Sequence, residues 1–272
     1  MQATSDSRPL PLGIRTELAI NAGRTSISYG PRYAVLRTSQ NPTYYMGNLL
    51  IYDRAPRSGD MPVWLRDFED AFGGDPQVRH AAFAFGASEG TGASEEFVAN
   101  GFTLEDHSVM RARAVATFDA PPGLTIRRFA DDGDWGEQLE MQMAAMPAIH
   151  DASEYRVFKE RQIAHHRGIA ARIGAWFGAF DGGRLAGSCG VFKAGAGLAR
   201  FQDVTVHPSY RNRGVARALI CAAGAAALHD WTVTELIIVA KRDDFPRRIY
   251  QKCGFEDYQR EAALWKAQRA LA

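Results

Sequence analysis

The chain has 272 residues, of which 46% are hydrophobic and 23% charged, a composition typical of a globular protein with one large domain or two smaller ones. Its 32 lysines and arginines balance 31 aspartates and glutamates, so no overall field attracts nucleic acid or an anionic membrane. We therefore expect neither as a partner, and any anion site must be local.

Targeting signals and metal ligands are not evident in the sequence. The first thirty residues show no basic start followed by an apolar core, and no apolar stretch approaches the ~20 residues of a membrane span, which predicts a cytoplasmic protein. Cys189, Cys221 and Cys253 are odd in number and widely spaced, so we interpret them as small buried hydrophobes. His165 and His166 have no cysteine or carboxylate at ligand spacing, so we expect no metal.

The N-terminal half shows five predicted elements from residue 41 onward. They are a strand-like "NPTYYMGNLLIYDR", a helical "PVWLRDFEDAF", a strand "RHAAFAF", a short helix in "EEFVANGF" and a final strand "HSVMRARAV". Tyr44, Tyr45, Met46 and Trp64 are candidates for an acceptor pocket, although aromatic residues at such spacing more often belong to a core.

A domain boundary is predicted where "FDAPPGLT" begins at Phe118, because paired prolines and a glycine interrupt both strand and helix patterns. We expect an N-terminal domain over residues 1–119 and a C-terminal domain over residues 124–272.

The C-terminal half reads as strand, two helices, three strands, helix, strand, helix and strand. The decisive signals are the hairpin turn "DGG" within "AWFGAFDGGRLAGSCGVFKA", the continuous apolar strand "ELIIVA" and the glycine stop of "FPRRIYQKCGF". "EAALWKA" is expected to close this domain as its last strand. The predicted class is α/β (α+β), with a mixed sheet flanked by helices.

The two halves share one local pattern. "EEFVANGFTLEDHSVM" and "RRIYQKCGFEDYQREAALW" each contain an amphipathic turn, Gly-Phe, acidic residues and then a strand. An ancient duplication explains this pattern, and coincidence of common elements is the alternative.

The stretch "VHPSYRNRGVARALICAAG", residues 206–224, lies at a strand-to-helix junction. A helix start carries unpaired N–H groups and a partial positive charge, so it is a natural seat for phosphate. Gly214 lets an anion approach the backbone, while Arg211, Arg213 and Arg217 add attraction. A surface loop with solvated arginines is the alternative interpretation.

Three motifs in order make this half similar to the GNAT superfamily of acyl-CoA N-acyltransferases. "RNRGVA" matches the R/Q-x-x-G-x-G/A signature, "DVTVHPSYRNRG" resembles the family's fourth strand and following turn, and "IYQKCGF" resembles its Y-x-K-x-G-F segment. The resemblance covers Leu124 to the C-terminus and implies a mostly antiparallel GNAT sheet, with a degenerate GNAT-like copy as one interpretation of the N-terminal half. Asp243 is a departure, since many relatives have asparagine there.

The resemblance also implies acetyl-CoA as cosubstrate and a set of site residues. The pantetheine arm would lie along the fourth strand like an added strand, and the pyrophosphate would rest on the amides of the turn. The implied coenzyme-binding residues are Val204, Thr205, Val206, Arg211, Asn212, Arg213, Gly214, Val215, Ala216 and Arg217.

Two side chains are implied as catalytic. Tyr250 occupies the family's acid position and would protonate the departing thiolate, since a phenol with a pKa of ~10 keeps its proton at neutral pH. Asp203 is a candidate general base on the fourth strand, with Glu154, His166 or a water chain as alternatives.

The expected activity is acetyl transfer from acetyl-CoA to a primary amine of a small molecule. The alternatives are acetylation of a protein or peptide amine, and a non-catalytic acyl-CoA sensor. The N-terminal half has "YDRAPRSGDMPVW" where a phosphate turn would be needed, so we do not expect it to bind coenzyme A in the same way. It is expected instead to cover the substrate groove or to form the contacts of a homodimer.

Overall fold

The computed structural model describes residues 10–147 and 151–267, which fold as two compact units. The first unit contains the chain up to Val109 together with Ala240–Arg242 and the residues from Asp257 onward. The second contains Met110–Val239 and Asp243–Glu256. No helix in the described ranges is long and apolar enough to cross a membrane.

The first unit is built on a mixed sheet with an aromatic core. Strands β1 to β3 pair antiparallel in sequence order, and β3 pairs parallel with β4 after the connecting helix α2. Trp64, Phe68, Phe83 and Phe97 lie at the centre of the core, so Trp64 is a core residue. The elements are α1 (Leu12–Ile20), β1 (Ser26–Tyr29), β2 (Tyr33–Arg37), β3 (Leu49–Tyr52), α2 (Met61–Phe72), β4 (Ala81–Gly86), α3 (Ser94–Ala99) and β5 (Thr103–Ala112).

The C-terminal half of the sequence has the predicted order of elements. They are β6 (Leu124–Arg128), α4 (Asp132–Ala144), α5 (Ala152–Ile173), β7 (Gly174–Asp181), β8 (Arg184–Lys193), β9 (Gly197–Val206), α6 (Val215–Asp230), β10 (Val233–Lys241), α7 (Phe245–Lys252) and β11 (Glu256–Lys266). Strands β6 to β9 pair antiparallel in sequence order, and β9 pairs parallel with β10. The predicted fold class, a mixed and mostly antiparallel sheet flanked by helices, is confirmed.

Local sequence explains where the second unit's helices and turns begin. The Asp131 carboxylate caps α4 by accepting from the Asp134 amide, and Asp151 caps α5 by accepting from the amides of Ser153 and Glu154. Gly182 has a φ of +58°, which lets the "DGG" turn join β7 to β8 as a tight hairpin.

The last strand, β11, lies in the first unit rather than closing the C-terminal domain. It pairs antiparallel with β4, from Glu261 opposite Gly86 to Lys266 opposite Ala81. Its Glu261 carboxylate accepts from the Gly13 amide at the start of α1, at 2.6 Å. The strand itself is predicted correctly, but the sheet that it joins is not the one expected. A fragment of residues 1–119 would therefore lack one strand of its own sheet.

Candidate functional site

Strands β9 and β10 separate part-way along their length. Their parallel pairing runs from Gly197 opposite Val233 to Arg200 opposite Ile237, and in the described chain no pair follows. The other edge of β9 stays paired with β8 as far as Val206 opposite Gly187. From Asp203 to Val206, the edge of β9 that faces β10 is therefore not paired with a strand in the described chain, a position where an extended ligand can add as a strand.

A bulge at Asp203 redirects the end of β9. The register with β8 shifts between the Gln202–Gly190 and Thr205–Ser188 pairs, and Asp203 has a φ of +50°. A left-handed aspartate is uncommon in a strand, and strained positions of this kind often accompany functional sites. Gln142 on α4 supports the bulge, because its Nε2 lies 3.3 Å from Thr205 Oγ1 and 3.5 Å from Asp203 Oδ2.

The turn after β9, which we call the cradle, has the backbone geometry of an anion-binding turn. Asn212 has a φ of +61° and Gly214 a φ of +82°, so two left-handed residues bend the backbone immediately before α6. Turns of this type form concave sites lined with N–H groups, and the first amides of a helix have no acceptor within it. Arg211 and Arg213 are exposed at the rim, so the local charge is positive.

Neighbouring side chains hold the cradle in place. His207 Nδ1 accepts from the Ser209 amide, and the Tyr210 hydroxyl donates to Asp181 at the end of β7, at 2.8 Å. The Arg213 guanidinium lies 5.4 Å from the Tyr210 ring centroid. Burial, followed by the positive charges of Arg184 and Arg211, lowers the pKa of His207, so this histidine adds no charge at neutral pH.

Comparison with known protein families identifies the domain that contains these features. The family described as "Acetyltransferase (GNAT) domain" matches residues 172–257, which include the separating strands, the cradle and α7. Residues 172–257 therefore form a GNAT domain. A search of curated protein sequences finds no match.

Solved structures show the same GNAT fold over most of the chain at low identity. A functionally unknown conserved protein from Staphylococcus epidermidis ATCC 12228 is 16% identical, with a TM-score of 0.71 over 89% of this chain and 93% of its own. A GCN5-related N-acetyltransferase from Kribbella flavida is 14% identical, with a TM-score of 0.64 over 97% and 98%. A tandem GNAT protein from the clavulanic acid biosynthesis pathway is 16% identical, with a TM-score of 0.57 over 97% and 90%.

Tyr250 lies on α7 within the GNAT domain and is buried. Desolvation raises the pKa of its phenol, and nearby Cys189 and Asp244 act in the same direction. The hydroxyl therefore keeps its proton throughout the physiological range, which an acid requires. Its role as the acid stays a prediction.

Asp203, the predicted base, lies among polar groups that the sequence analysis did not identify. Desolvation raises the pKa of its carboxyl, and the neighbouring Lys159 on α5 acts in the opposite direction. Lys159 is itself buried, donates to Gln162 Oε1 at 2.8 Å and has a pKa lowered by burial. The sequence offers one signal for the nearness of Lys159 and Asp203, which is a lysine on the face of α5 that is buried.

The alternative bases have different environments. His166 is buried and stacks on Trp176, with ring centroids 4.8 Å apart, so its imidazole belongs to the packed core. Glu154 is exposed in the first turn of α5. Asp203 combines desolvation, a bulged strand and a cationic neighbour, so it is the residue that we retain as the candidate base.

In the first unit, the turn before α2 corresponds to the turn before α6. Its amides donate to carboxylates of the same unit. Asp60 precedes α2 and accepts from the Arg57 amide at 2.7 Å and from the Arg54 guanidinium at 2.5 Å. The Gly59 amide donates to Glu96 Oε2 at 3.1 Å. The pairing of β3 with β4 also continues to Tyr52 opposite Phe85 near the end of β3. These N–H groups are thus satisfied internally and are not available to phosphate.

The Gly-Phe motif has the same backbone geometry in both units. The Phe102 amide donates to the Phe97 carbonyl and the Phe255 amide to the Tyr250 carbonyl, each at 3.1 Å. Gly101 and Gly254 precede them with φ values of +84° and +102°. Phe97 therefore occupies in the first unit the position that Tyr250 occupies in the second, without a hydroxyl.

In the described ranges, no group of three or more His, Cys, Asp or Glu side chains is placed so that it could bind a metal ion. Cys189, Cys221 and Cys253 are free and buried, as the sequence indicates.

Proposed function

We propose that the protein is an N-acetyltransferase that moves an acetyl group from acetyl-CoA to a primary amine of a small molecule. The observation that carries the proposal is the free edge of β9 leading directly into the cradle at Asn212 and Gly214. Backbone groups of Val204 and Val206 lie on the strand that would bind the pantetheine arm, and the amides of 211–217 would bind the pyrophosphate. We place the reaction in the second unit because the turn amides of the first are satisfied internally.

The proposed reaction includes two proton transfers, one from the acceptor amine and one to the departing thiolate. The amine nitrogen attacks the thioester carbonyl carbon, and Asp203 accepts the proton that the nitrogen loses. The carbon–sulfur bond then breaks, and Tyr250 donates its proton to the departing thiolate. The products are an amide and free coenzyme A, and solvent restores both side chains.

The surroundings of Asp203 favour a small acceptor. Gln142 from α4 and Lys159 from α5 both lie close to this carboxylate. Tyr155 on α5 is half-buried, and burial, followed by the charge of Asp203, raises the pKa of its phenol. An amine must therefore reach the carboxylate past two helices, which suits a small molecule better than a protein side chain. Catalysis in the cytoplasm and assembly as a homodimer complete the proposal.

Thiol release with a panel of amines tests this function. The full-length protein is incubated with acetyl-CoA and each amine, and free coenzyme A is measured with a thiol reagent. Release that depends on a small amine supports the proposal. Release only with peptide amines would favour the protein acetyltransferase, and tight binding of acetyl-CoA without release in any case would favour the sensor.

Lys159→Met should move the acidic limb of the kcat/KM profile to higher pH. Asp203 must be ionised to accept a proton, so activity is lost as pH falls through its pKa. The Lys159 charge lowers that pKa, and its removal lets desolvation raise it further. Lys159→Arg keeps the charge and should leave the limb in place. An identical limb in the methionine variant would mean that Asp203 is not the base.

A further inference from the structure

The segment that joins the two halves of the sequence packs along the second unit. We call residues 114–121 the strap. The Ala116 amide donates to the Cys253 carbonyl at 2.9 Å. A Cβ added to Gly254 would lie 3.0 Å from the Ala114 carbonyl oxygen, so the glycine allows the strap backbone to approach the end of α7. The strap is thus part of the second unit, which also carries the cradle, and it is bonded to the end of α7.

Two glycines, Gly214 immediately before α6 and Gly224 within it, lie against strap side chains. A Cβ on Gly224 would lie 2.9 Å from Val115 Cγ1, and one on Gly214 would lie 3.3 Å from Phe118 Cε1. These glycines are ten residues apart, about 15 Å along a helix. The small residues of α6 therefore accommodate the strap over much of the helix, and the strap reaches the cradle through Phe118.

Phe118 contacts the one cradle arginine that is not at the exposed rim. The Arg217 guanidinium carbon lies 4.2 Å from the Phe118 ring centroid, within the range of a cation–π contact. Arg217 is half-buried in the first turn of α6, and its Nε is buried without a hydrogen-bond partner among the described residues. The contact that the structure shows for this guanidinium is therefore with a neutral ring.

We propose that Phe118 is a positioning residue, which holds Arg217 ready for the pyrophosphate of coenzyme A and makes the strap part of the nucleotide site. The inference rests on the proposed function. A carboxylate partner would cancel the charge of Arg217, whereas an aromatic face fixes the side chain and leaves its charge available to an anion. Fixing a long side chain before binding also reduces the entropy that binding must remove.

A double-mutant cycle on the full-length protein tests this role. The dissociation constant of acetyl-CoA is measured by calorimetry for the wild type, Phe118→Leu, Arg217→Met and the double variant. Loss of a partly buried cation–π contact should weaken binding by about 3- to 10-fold in Phe118→Leu. The double variant should bind no more weakly than Arg217→Met, because Phe118 acts through Arg217. Phe118→Tyr keeps the aromatic face and should bind like the wild type.

The outcomes separate this inference from the function on which it rests. Equal affinity in the wild type and Phe118→Leu would overturn the positioning role and leave the function intact. Equal weakening with and without Arg217 would also overturn it, since the ring would then act only through packing. A wild type that does not bind acetyl-CoA would overturn the proposed function itself. Acetyl-pantetheine, which lacks the pyrophosphate, should show the same KM with wild type and Phe118→Leu.

Discussion

Tyr250→Phe should lower turnover by ~100-fold or more while the affinity for acetyl-CoA holds. The ring is buried on α7, and phenylalanine keeps its packing while removing only the proton donor. Because burial raises the pKa of the phenol, the wild-type hydroxyl keeps its proton at the neutral pH of the assay. Steady-state kinetics and calorimetry on the same preparation measure both quantities.

Tyr258→Phe is the matched control for this change. Tyr258 is 51% exposed on β11, outside the GNAT domain, so loss of its hydroxyl should leave turnover unchanged. A weaker affinity of Tyr250→Phe without a fall in turnover would make Tyr250 a binding residue. Full activity would mean that solvent protonates the thiolate, and the acid role would be withdrawn.

Leu264→Ala should destabilise the first unit by about 2–5 kcal/mol, the usual cost of truncating a fully buried leucine. Leu264 lies on β11 opposite Phe83 of β4, and both side chains are completely buried in the aromatic core. Denaturant unfolding measures the loss, and hydrogen exchange of the β4 amides should locate it in the first unit.

Leu65→Ala provides the control for the leucine change. Leu65 lies on α2 of the same unit but is 37% exposed, so its truncation should alter stability by only about 0.5 kcal/mol. Equal, small losses in both variants would contradict the assignment of the last strand to the first unit's core.

The helices and strands of the second unit could be predicted from the sequence because their apolar periodicity is strong and their turns contain characteristic residues. The stretch "ASEYRVFKERQIAHHRGIAARI" is α5 in full, and the "DGG" turn joins β7 to β8. Local patterns determine such elements because caps, glycines and alternation act over a few residues. The same reasoning found the turn before α6 and the Gly-Phe end of α7.

The missed features depend on weak local signals or on distant partners. The first strand, β1, has only four residues and is largely exposed, and α1 buries only Leu12, Gly13, Thr16 and Ile20. The sheet that β11 joins cannot be read from β11 alone, because alternation identifies a strand and not its neighbour. The nearness of Lys159 to Asp203 likewise depends on how α5 packs against β7 and β8.

The most direct test compares acetyl-CoA binding by two full-length glycine variants, Gly214→Val and Gly59→Val. Both glycines have a φ of +82°, a left-handed conformation that valine disfavours, so the backbone is strained in each variant, and a Cβ at Gly214 also lies 3.3 Å from Phe118 Cε1. Calorimetry should show that Gly214→Val weakens binding by ~10-fold or more while Gly59→Val binds like the wild type. Equal affinity in wild type and Gly214→Val, or a loss confined to Gly59→Val, would contradict coenzyme binding at the second unit's turn.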